Sequence, residues 1–257
     1  MIKKQKGNKE AAMSELTEDE LKNNYREVKE RIAEAAKRAG RDPKEVTLLA
    51  VSKTKPVSNI RTLMAEGQRA FGENYVQELT EKIREIGDAA EWHMIGHLQR
   101  NKVKYIIGKV RLIHAVDSVR LAEQIEKGAV KTGSEADVLM EVNIAREESK
   151  WGFMEEEALD AAHEIAAFPH VHLHGLMTSA PIAENPEDNR KYFSGLRELA
   201  RRIGEEGFDN VSMDTLSMGM TQDYEVAVEE GATIVRVGSA IFGKRNYGVK
   251  EVPSGEK

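Results

Sequence analysis

The stretch Val46–Pro56, VTLLAVSKTKP, decides the fold because an uninterrupted apolar run ends in a lysine. No charged residue interrupts its first seven positions, which is typical of a strand covered on both faces in a parallel α/β sheet. Side chains alternate along a strand, so Leu49, Val51 and Lys53 are expected on one face. A lysine there can lose its charge in a low-dielectric pocket and act as the amine of Schiff-base chemistry. A lysine that simply reaches solvent is the alternative interpretation.

The composition narrows the class of protein. The 257 residues are 40% hydrophobic and 32% charged, which supports a real core in one large domain or two small ones. The chain has no cysteine, and this excludes disulfides, thiolate metal sites and cysteine nucleophiles. No apolar run has the length of a bilayer span, so we expect no membrane association and a cytoplasmic location. The net charge of -6 argues against a nucleic-acid partner, which would favour a basic face.

Apolar runs and helical segments alternate along the chain after an N-terminal helix that begins at the capping-box pair Thr17 and Glu20. Eight strands are predicted, each followed by a helix or a helical turn, at residues 46–54, 69–72, 91–96, 112–116, 137–144, 171–178, 211–217 and 233–237. This order predicts an α/β fold, a (β/α)8 TIM barrel with an extra N-terminal helix. An open doubly wound sheet is the main alternative, but no GxGxxG turn follows a predicted strand.

The two ends of the chain set the domain boundaries. The N-terminal segment MIKKQKGNKEAAM is basic and lacks the apolar core of a signal peptide. We therefore expect residues 1–13 to be a disordered leader. Residues 14–250 are expected to form one barrel domain without an internal linker.

The loops after predicted strands seven and eight are candidates for binding a phosphate. They begin with Ser217, Met218 and Gly219 and with Gly238 and Ser239. Barrels commonly hold a phosphate in these two loops, and small residues let backbone amides approach an anion closely. Glycines after a strand also make plain turns, so the sequence leaves both interpretations open.

Arg236 is the second unusual residue, because it lies inside the apolar strand IVRV. A charge there is costly unless it is paired or directed at a ligand. The strand alternation puts it on the same face as Ile234 and Gly238. An ion pair inside the barrel is one interpretation. The other follows from pyridoxal phosphate enzymes, which place an aspartate or an arginine against the pyridine nitrogen; an arginine leaves that nitrogen neutral and weakens the electron sink.

Histidines and single carboxylates offer weaker signals. The histidines of 170–174 alternate on one strand face, and an HxH pair can bind zinc, but no clustered carboxylates accompany them and we expect no metal site. His93 is expected to be a core or pocket-wall residue. Glu73 or Asp214 could serve as a general base, although single carboxylates near strand ends are usually helix caps or ion pairs.

A family resemblance is carried by seven segments that occur in order: LLAVSKTKP, FGENYVQE, WHMIGHLQRNK, HAVDS, HGLMT, LSMGM and RVGSAIFG. From about Leu16 to Tyr247 the chain resembles the pyridoxal phosphate homeostasis protein family. These are single-domain proteins similar to the N-terminal barrel of alanine racemase. Two positions depart from the common pattern: His97 stands where many relatives have proline, and Ser239 where threonine is often seen. Serine keeps the hydroxyl donor, whereas His97 is expected to alter the rim of the site.

The resemblance implies a cofactor site. Lys53 would carry pyridoxal 5'-phosphate as an internal aldimine, and Arg236 would face the pyridine nitrogen. Ser217, Gly238 and Ser239, in the loops after strands seven and eight, would hold the phosphate. The residues implied around the cofactor are Lys53, Asn74, Ser217, Met218, Gly219, Arg236, Gly238 and Ser239.

The resemblance also implies a function, namely a protein that binds, buffers and hands on the cofactor to apo-enzymes with little or no turnover. A monomer is expected separately, because the predicted surface helices show no large apolar patch. Racemases of this fold take a second base, a tyrosine, from a C-terminal domain of the partner subunit. This chain ends shortly after Tyr247, so we expect that domain to be absent and the barrel mouth to be open to solvent, which suits exchange. A weak amino-acid racemase is the first alternative. A metal-free phosphosugar aldolase that uses Lys53 and the same phosphate loops is the second.

Overall fold

The structure is a computed structural model that describes residues 16–243. The expected leader at residues 1–13, Tyr247 and the expected domain end at residue 250 lie outside the described residues. Within the described range, no helix combines the length and the apolar character that crossing a bilayer would require.

Eight parallel strands close into a barrel, with each strand paired to the next and β8 paired to β1. The strands are β1 Thr47–Val51, β2 Ala70–Glu73, β3 Glu91–Met94, β4 Leu112–Val116, β5 Ala136–Glu141, β6 Val171–Met177, β7 Val211–Ser217 and β8 Ile234–Val237. The predicted (β/α)8 barrel is therefore confirmed, and the open doubly wound sheet is excluded.

Helices surround the barrel. They are α1 Glu18–Arg38, α2 Val57–Ala65, α3 Val76–Ile86, α4 Val103–Ile106, α5 Val119–Thr132, α6 Ala158–Ala166, α7 Arg190–Glu205, α8 Tyr224–Glu229 and α9 Ser239–Phe242. From the sequence, one continuous helix is predicted over residues 98–107, and this prediction was wrong. A 3-10 turn at Arg100–Lys102 leads instead into the single turn of α4.

The extra helix α1 completes the ring of helices. Thr17 caps it, since its hydroxyl accepts from the Glu20 N–H and the Glu20 carboxylate accepts from the Thr17 N–H, as the capping box predicts. Its buried face packs against α2, α8 and α9.

Two apolar layers build the core. The larger layer lies between the outer face of the strands and the helices. The smaller one fills the barrel interior with residues from six strands: Leu49, Ala70, Leu112, Ala115, Leu139, Met177 and Ile234. A register shift at Gly175 brings β6 against β7 so closely that a Cβ on Gly175 would lie 1.8 Å from the Thr215 carbonyl oxygen.

Candidate functional site

Lys53 lies two residues beyond the end of β1, at the mouth formed by the carboxyl ends of the strands. Leu49 of the same strand belongs to the interior layer, which confirms the predicted inward face of β1 at that residue. The strand is shorter than predicted because the chain turns after Ser52. Thr54 has a φ of 64°, a left-handed conformation that is strained for a β-branched residue. Lys53 itself is half-buried.

A buried ionic cluster lies behind this turn. The Lys82 ammonium donates to the Ser52 carbonyl at 2.8 Å, to Glu73 Oε1 at 2.8 Å and to Glu78 Oε1 at 2.7 Å. Ser52 Oγ donates to the same Glu73 oxygen at 2.6 Å, and the Thr54 N–H donates to Glu78 Oε1 at 2.6 Å. Burial raises the pKa of Glu73, while Lys82 and Ser52 act in the opposite direction. Glu73 is thus an ion-pair residue of the kind that the sequence left as one alternative.

Asn74 follows β2 and contributes a buried Oδ1 atom that has no hydrogen-bond partner among the described residues. Its backbone lies against Gly96, where an added Cβ would stand 2.4 Å from the Asn74 carbonyl oxygen. A side chain at 96 would therefore displace the Asn74 backbone. An unsatisfied buried carbonyl oxygen at a strand end is a candidate ligand contact.

Arg236 points into the barrel and is 5% exposed. It pairs in register with Leu49, an interior residue, so the predicted face of Arg236 is confirmed. Nη1 donates to the carbonyl and the hydroxyl of Ser217 at 2.7 and 2.8 Å. Nη2 donates to the Thr178 carbonyl at 2.8 Å and to Ser179 Oγ at 3.3 Å. The guanidinium has five N–H donors, and the Nε–H is the donor left for a ligand.

Two histidines extend the contacts of Arg236 into an interior polar chain, which we define as His93, His114, Ser217 and Arg236. Ser217 Oγ lies 2.9 Å from His114 Nδ1, and His114 Nε2 lies 2.9 Å from His93 Nδ1. Burial lowers the pKa of His93 to about 4 and lowers the pKa of His114 as well, so both rings are neutral at pH 7.

The hydrogen bonds of the interior polar chain can run in either of two self-consistent directions. In one, the Ser217 hydroxyl donates to His114, and its only hydrogen is used. In the other, His93 donates to His114 and His114 donates to Ser217, which frees the Ser217 hydroxyl to donate to a ligand. The sequence signalled His93 as core or pocket wall but gave no role to His114, because HAVDS reads as an ordinary apolar strand end.

The loop after β7 lies against β8, since the Arg236 N–H donates to the Gly219 carbonyl at 3.0 Å, and it meets the segment after β8 where the Ala240 N–H donates to Thr221 Oγ1 at 3.4 Å. The Met218 N–H is used by the Ile234 carbonyl at 3.1 Å. The N–H groups of Gly219, Gly238 and Ser239 make no hydrogen bond to the described residues, so they are available to an anion. Gly219 has a φ of +88°, and an added Cβ there would lie 2.5 Å from the Ala227 Cβ.

Glu141 at the end of β5 supplies negative charge to the interior. Its pKa is raised to about 7, mainly by burial and also by Asp117, while Arg236 and Lys150 act in the opposite direction. Burial also lowers the pKa of Arg236 to about 10, which leaves the guanidinium charged at neutral pH. Nothing in the sequence singled out Glu141, since a glutamate ending a strand is usually solvated.

His97 forms part of the rim. Its Nδ1 lies 2.7 Å from Asp117 Oδ2, and its ring stacks on Trp151 with centroids 4.1 Å apart. At this part of the rim, the connections after β3, β4 and β5 meet at the His97 side chain.

The three alternating histidines lie away from the mouth and each meets a carboxylate. His170 contacts Glu126 at 2.8 Å, His172 contacts Glu135 at 3.0 Å and His174 contacts Asp137 at 2.7 Å. Within residues 16–243 no group of three or more potential ligands is arranged to hold a metal ion. Asp214 is exposed near the middle of β7 and lies outside the site.

Known proteins resemble this chain over most of its length. A family model described as the N-terminal domain of alanine racemase matches residues 17–246. The pyridoxal phosphate homeostasis protein of Aquifex aeolicus is 48% identical over 221 residues, which cover 86% of this chain and 96% of that protein. The protein of the same name in Escherichia coli K12 is 39% identical over 236 residues, which cover 90% of this chain and 100% of the relative.

A solved structure agrees with these relatives. PipY of Synechococcus elongatus PCC7942 with pyridoxal phosphate bound has a TM-score of 0.72 and 33% identity, and the match covers 82% of this chain and 100% of PipY. The chain belongs to the pyridoxal phosphate homeostasis protein family, whose barrel is that of the alanine racemase N-terminal domain.

Proposed function

We propose that this protein binds pyridoxal 5'-phosphate and carries or buffers it inside the cell, with little or no catalytic turnover. Relatives at 48% and 39% identity are named for pyridoxal phosphate homeostasis, and PipY has been solved with the cofactor bound. The observation that carries the proposal is the meeting of three elements at one end of the barrel. They are Lys53 after β1, the buried Arg236 of β8 and the unpartnered N–H groups of the β7 and β8 loops.

The residues present fit this cofactor. When bound, it supplies an aldehyde that condenses with an amine and releases water. We assign that amine to Lys53, so that the linkage is covalent. The N–H groups of Gly219, Gly238 and Ser239 and the Ser239 hydroxyl bind the phosphate. Asn74 lines the pocket through its unpartnered Oδ1.

Two of the expected residues take more precise roles in the proposal. Met218 contributes backbone shape, because its N–H already bonds to Ile234. Ser217 holds Arg236 and, with His114 donating to it, directs its own hydroxyl hydrogen at the ligand.

Arg236 favours carriage over catalysis. A guanidinium with a pKa of about 10 keeps its proton at neutral pH, so its Nε–H would donate to the pyridine nitrogen without protonating it. A neutral ring is a weak electron sink and stabilises a substrate carbanion poorly. We further propose that the protein works as a cytoplasmic monomer and that apo-enzymes dependent on this cofactor receive it.

A weak amino-acid racemase is the second candidate. The observation that favours it is Glu141, whose pKa of about 7 suits a general acid or base near the barrel interior. A coupled assay for D-alanine from L-alanine, run with wild type and Glu141→Gln, tests it. Turnover that the substitution abolishes would establish this candidate.

The visible absorption spectrum of purified protein tests the main proposal. We expect a yellow wild type whose band is discharged by borohydride, a Lys53→Ala variant without that band, and a Lys104→Ala control identical to wild type. Transfer is then measured as reactivation of an apo-enzyme. A wild type that stays colourless with added pyridoxal phosphate would refute the proposal and favour the phosphosugar aldolase.

A further inference from the structure

Lys82 is a buried lysine that the proposed function does not use. It projects from α3 and is 5% exposed. Its ammonium group donates three hydrogen bonds, to the Ser52 carbonyl, to Glu73 and to Glu78. Burying Lys82 and Glu73, beside the partly exposed Glu78, costs more free energy than packing apolar side chains of similar size. A cluster of this kind therefore calls for a role beyond joining α3 to the sheet.

The contacts of the cluster converge on the residues on either side of Lys53. Ser52 is held twice, through its carbonyl by Lys82 and through its hydroxyl by Glu73. Thr54 is held through its N–H by Glu78. We call Lys82, Glu73 and Glu78 the clamp.

The segment held by the clamp is strained. Thr54 has a φ of 64°, and the left-handed region is unfavourable for a β-branched residue. Such a conformation persists only where the surroundings hold it. The hydrogen bond from the Thr54 N–H to Glu78 is charge-assisted and only 2.6 Å long, so it is a contact strong enough to offset this strain.

We propose that Lys82 and Glu78 are positioning residues, which fix the backbone on both sides of Lys53 and thereby set how readily its amine reacts with a carbonyl ligand. Lys82 orients Glu78, and Glu78 holds Thr54 in its left-handed conformation. Without the clamp Thr54 relaxes, the backbone direction at Lys53 changes, and the linkage forms less completely. This inference rests on the proposed function for the identity of the ligand.

The test measures the dissociation constant of pyridoxal phosphate by absorbance for wild type, Lys82→Met, Glu78→Ala and Glu78→Gln. Each variant is measured at a temperature where circular dichroism shows it fully folded. We expect binding at least tenfold weaker in Lys82→Met and in Glu78→Ala. Glu78→Gln keeps an oxygen that accepts from the Thr54 N–H, so it should recover to within about threefold of wild type.

A matched control is the exposed pair Glu123 and Lys127 of α5, which has the same i,i+4 spacing and a distance of 2.6 Å. Lys127→Met should leave the dissociation constant within twofold of wild type. A purely structural role for the clamp lowers the melting temperature and leaves the dissociation constant of the folded protein unchanged.

The outcomes separate the two proposals. A wild type that forms no borohydride-sensitive band contradicts the proposed function itself. If wild type is yellow and the folded Lys82→Met and Glu78→Ala variants bind pyridoxal phosphate with the wild-type dissociation constant, the positioning role of the clamp is refuted. If Lys82→Met does not fold, the comparison of Glu78→Ala with Glu78→Gln decides alone, and equal affinities in those two variants overturn the clamp.

Discussion

Glu141→Gln should stabilise the protein at high pH and change little at low pH. Burial raises the pKa of Glu141 from 4.5 to about 7, so the folded state binds this proton more tightly than the unfolded chain. The resulting stabilisation is fully present below pH 4.5 and is lost as the pH rises through about 7. A difference of about 2.5 pKa units at 1.36 kcal/mol each corresponds to about 3 kcal/mol. Between pH 5 and pH 8 the expected change is about 2 kcal/mol, because the side chain is partly exposed.

The assay is urea denaturation of wild type and variant in apo form at pH 5, 6, 7 and 8. The free energy of unfolding of Glu141→Gln minus that of wild type should grow by about 2 kcal/mol across this range. Glu148→Gln, an exposed carboxylate on the same connection, is the control and should show no comparable trend. A difference that is flat with pH, or that falls as the pH rises, would refute the reasoning.

Three further predictions concern stability. His93→Gln should lose less stability than wild type on acidification. The pKa of His93 is lowered to about 4, so its contribution to the free energy of unfolding is present above pH 6.5 and is lost as the pH falls towards 4. Urea unfolding at pH 4.5 and 7 checks this. Gly175→Ala should cost more than about 3 kcal/mol through its clash with β7, whereas Gly207→Ala, with φ +66° and open space, should cost about 1 kcal/mol by thermal unfolding. Arg190→Ala should lose at least about 1 kcal/mol, partly screened in 1 M NaCl, since of its partners Glu187 is exposed while Glu229 and Glu230 are partly buried.

The barrel could be predicted because its strands are buried on both faces. The bounds predicted for β4, LIHAV, and for β7, VSMDTLS, agree with the structure. In β4 this follows from apolar residues that continue to the last position. β1 is shorter than predicted because the chain turns at the left-handed Thr54, and no sequence pattern predicts a left-handed threonine. The helix after β3 was overextended because the segment before Val103 forms a 3-10 turn, which has nearly the same periodicity as an α-helix.

The interior face of Arg236 followed from parity alone, since a charge within IVRV can only be accommodated by partners or a ligand. The side chains and carbonyls of the polar network around Arg236 could not be predicted in this way. His114, Ser217 and Thr178 come from three other strands or their ends, and a side-chain contact between strands depends on the stagger of the barrel. The role of Lys82 could not be predicted either. In the sequence it is one lysine among the charged residues of a helix, and such a lysine is usually solvated.

The two polar systems of the barrel differ in kind, and this difference bears on function. The interior polar chain joins strands that are fixed by the barrel, so Arg236 and Ser217 have little freedom to move. The clamp instead holds a turn whose conformation is intrinsically unfavourable, so the segment of Lys53 has a lower-energy alternative once the contacts open. A carrier must bind its cofactor firmly and also release it. If Arg236 faces the ring nitrogen and Lys53 forms the linkage, as proposed, the rigid contacts would hold the ring and the strained turn would lie next to the amine. Exchange should then begin at the Lys53 segment.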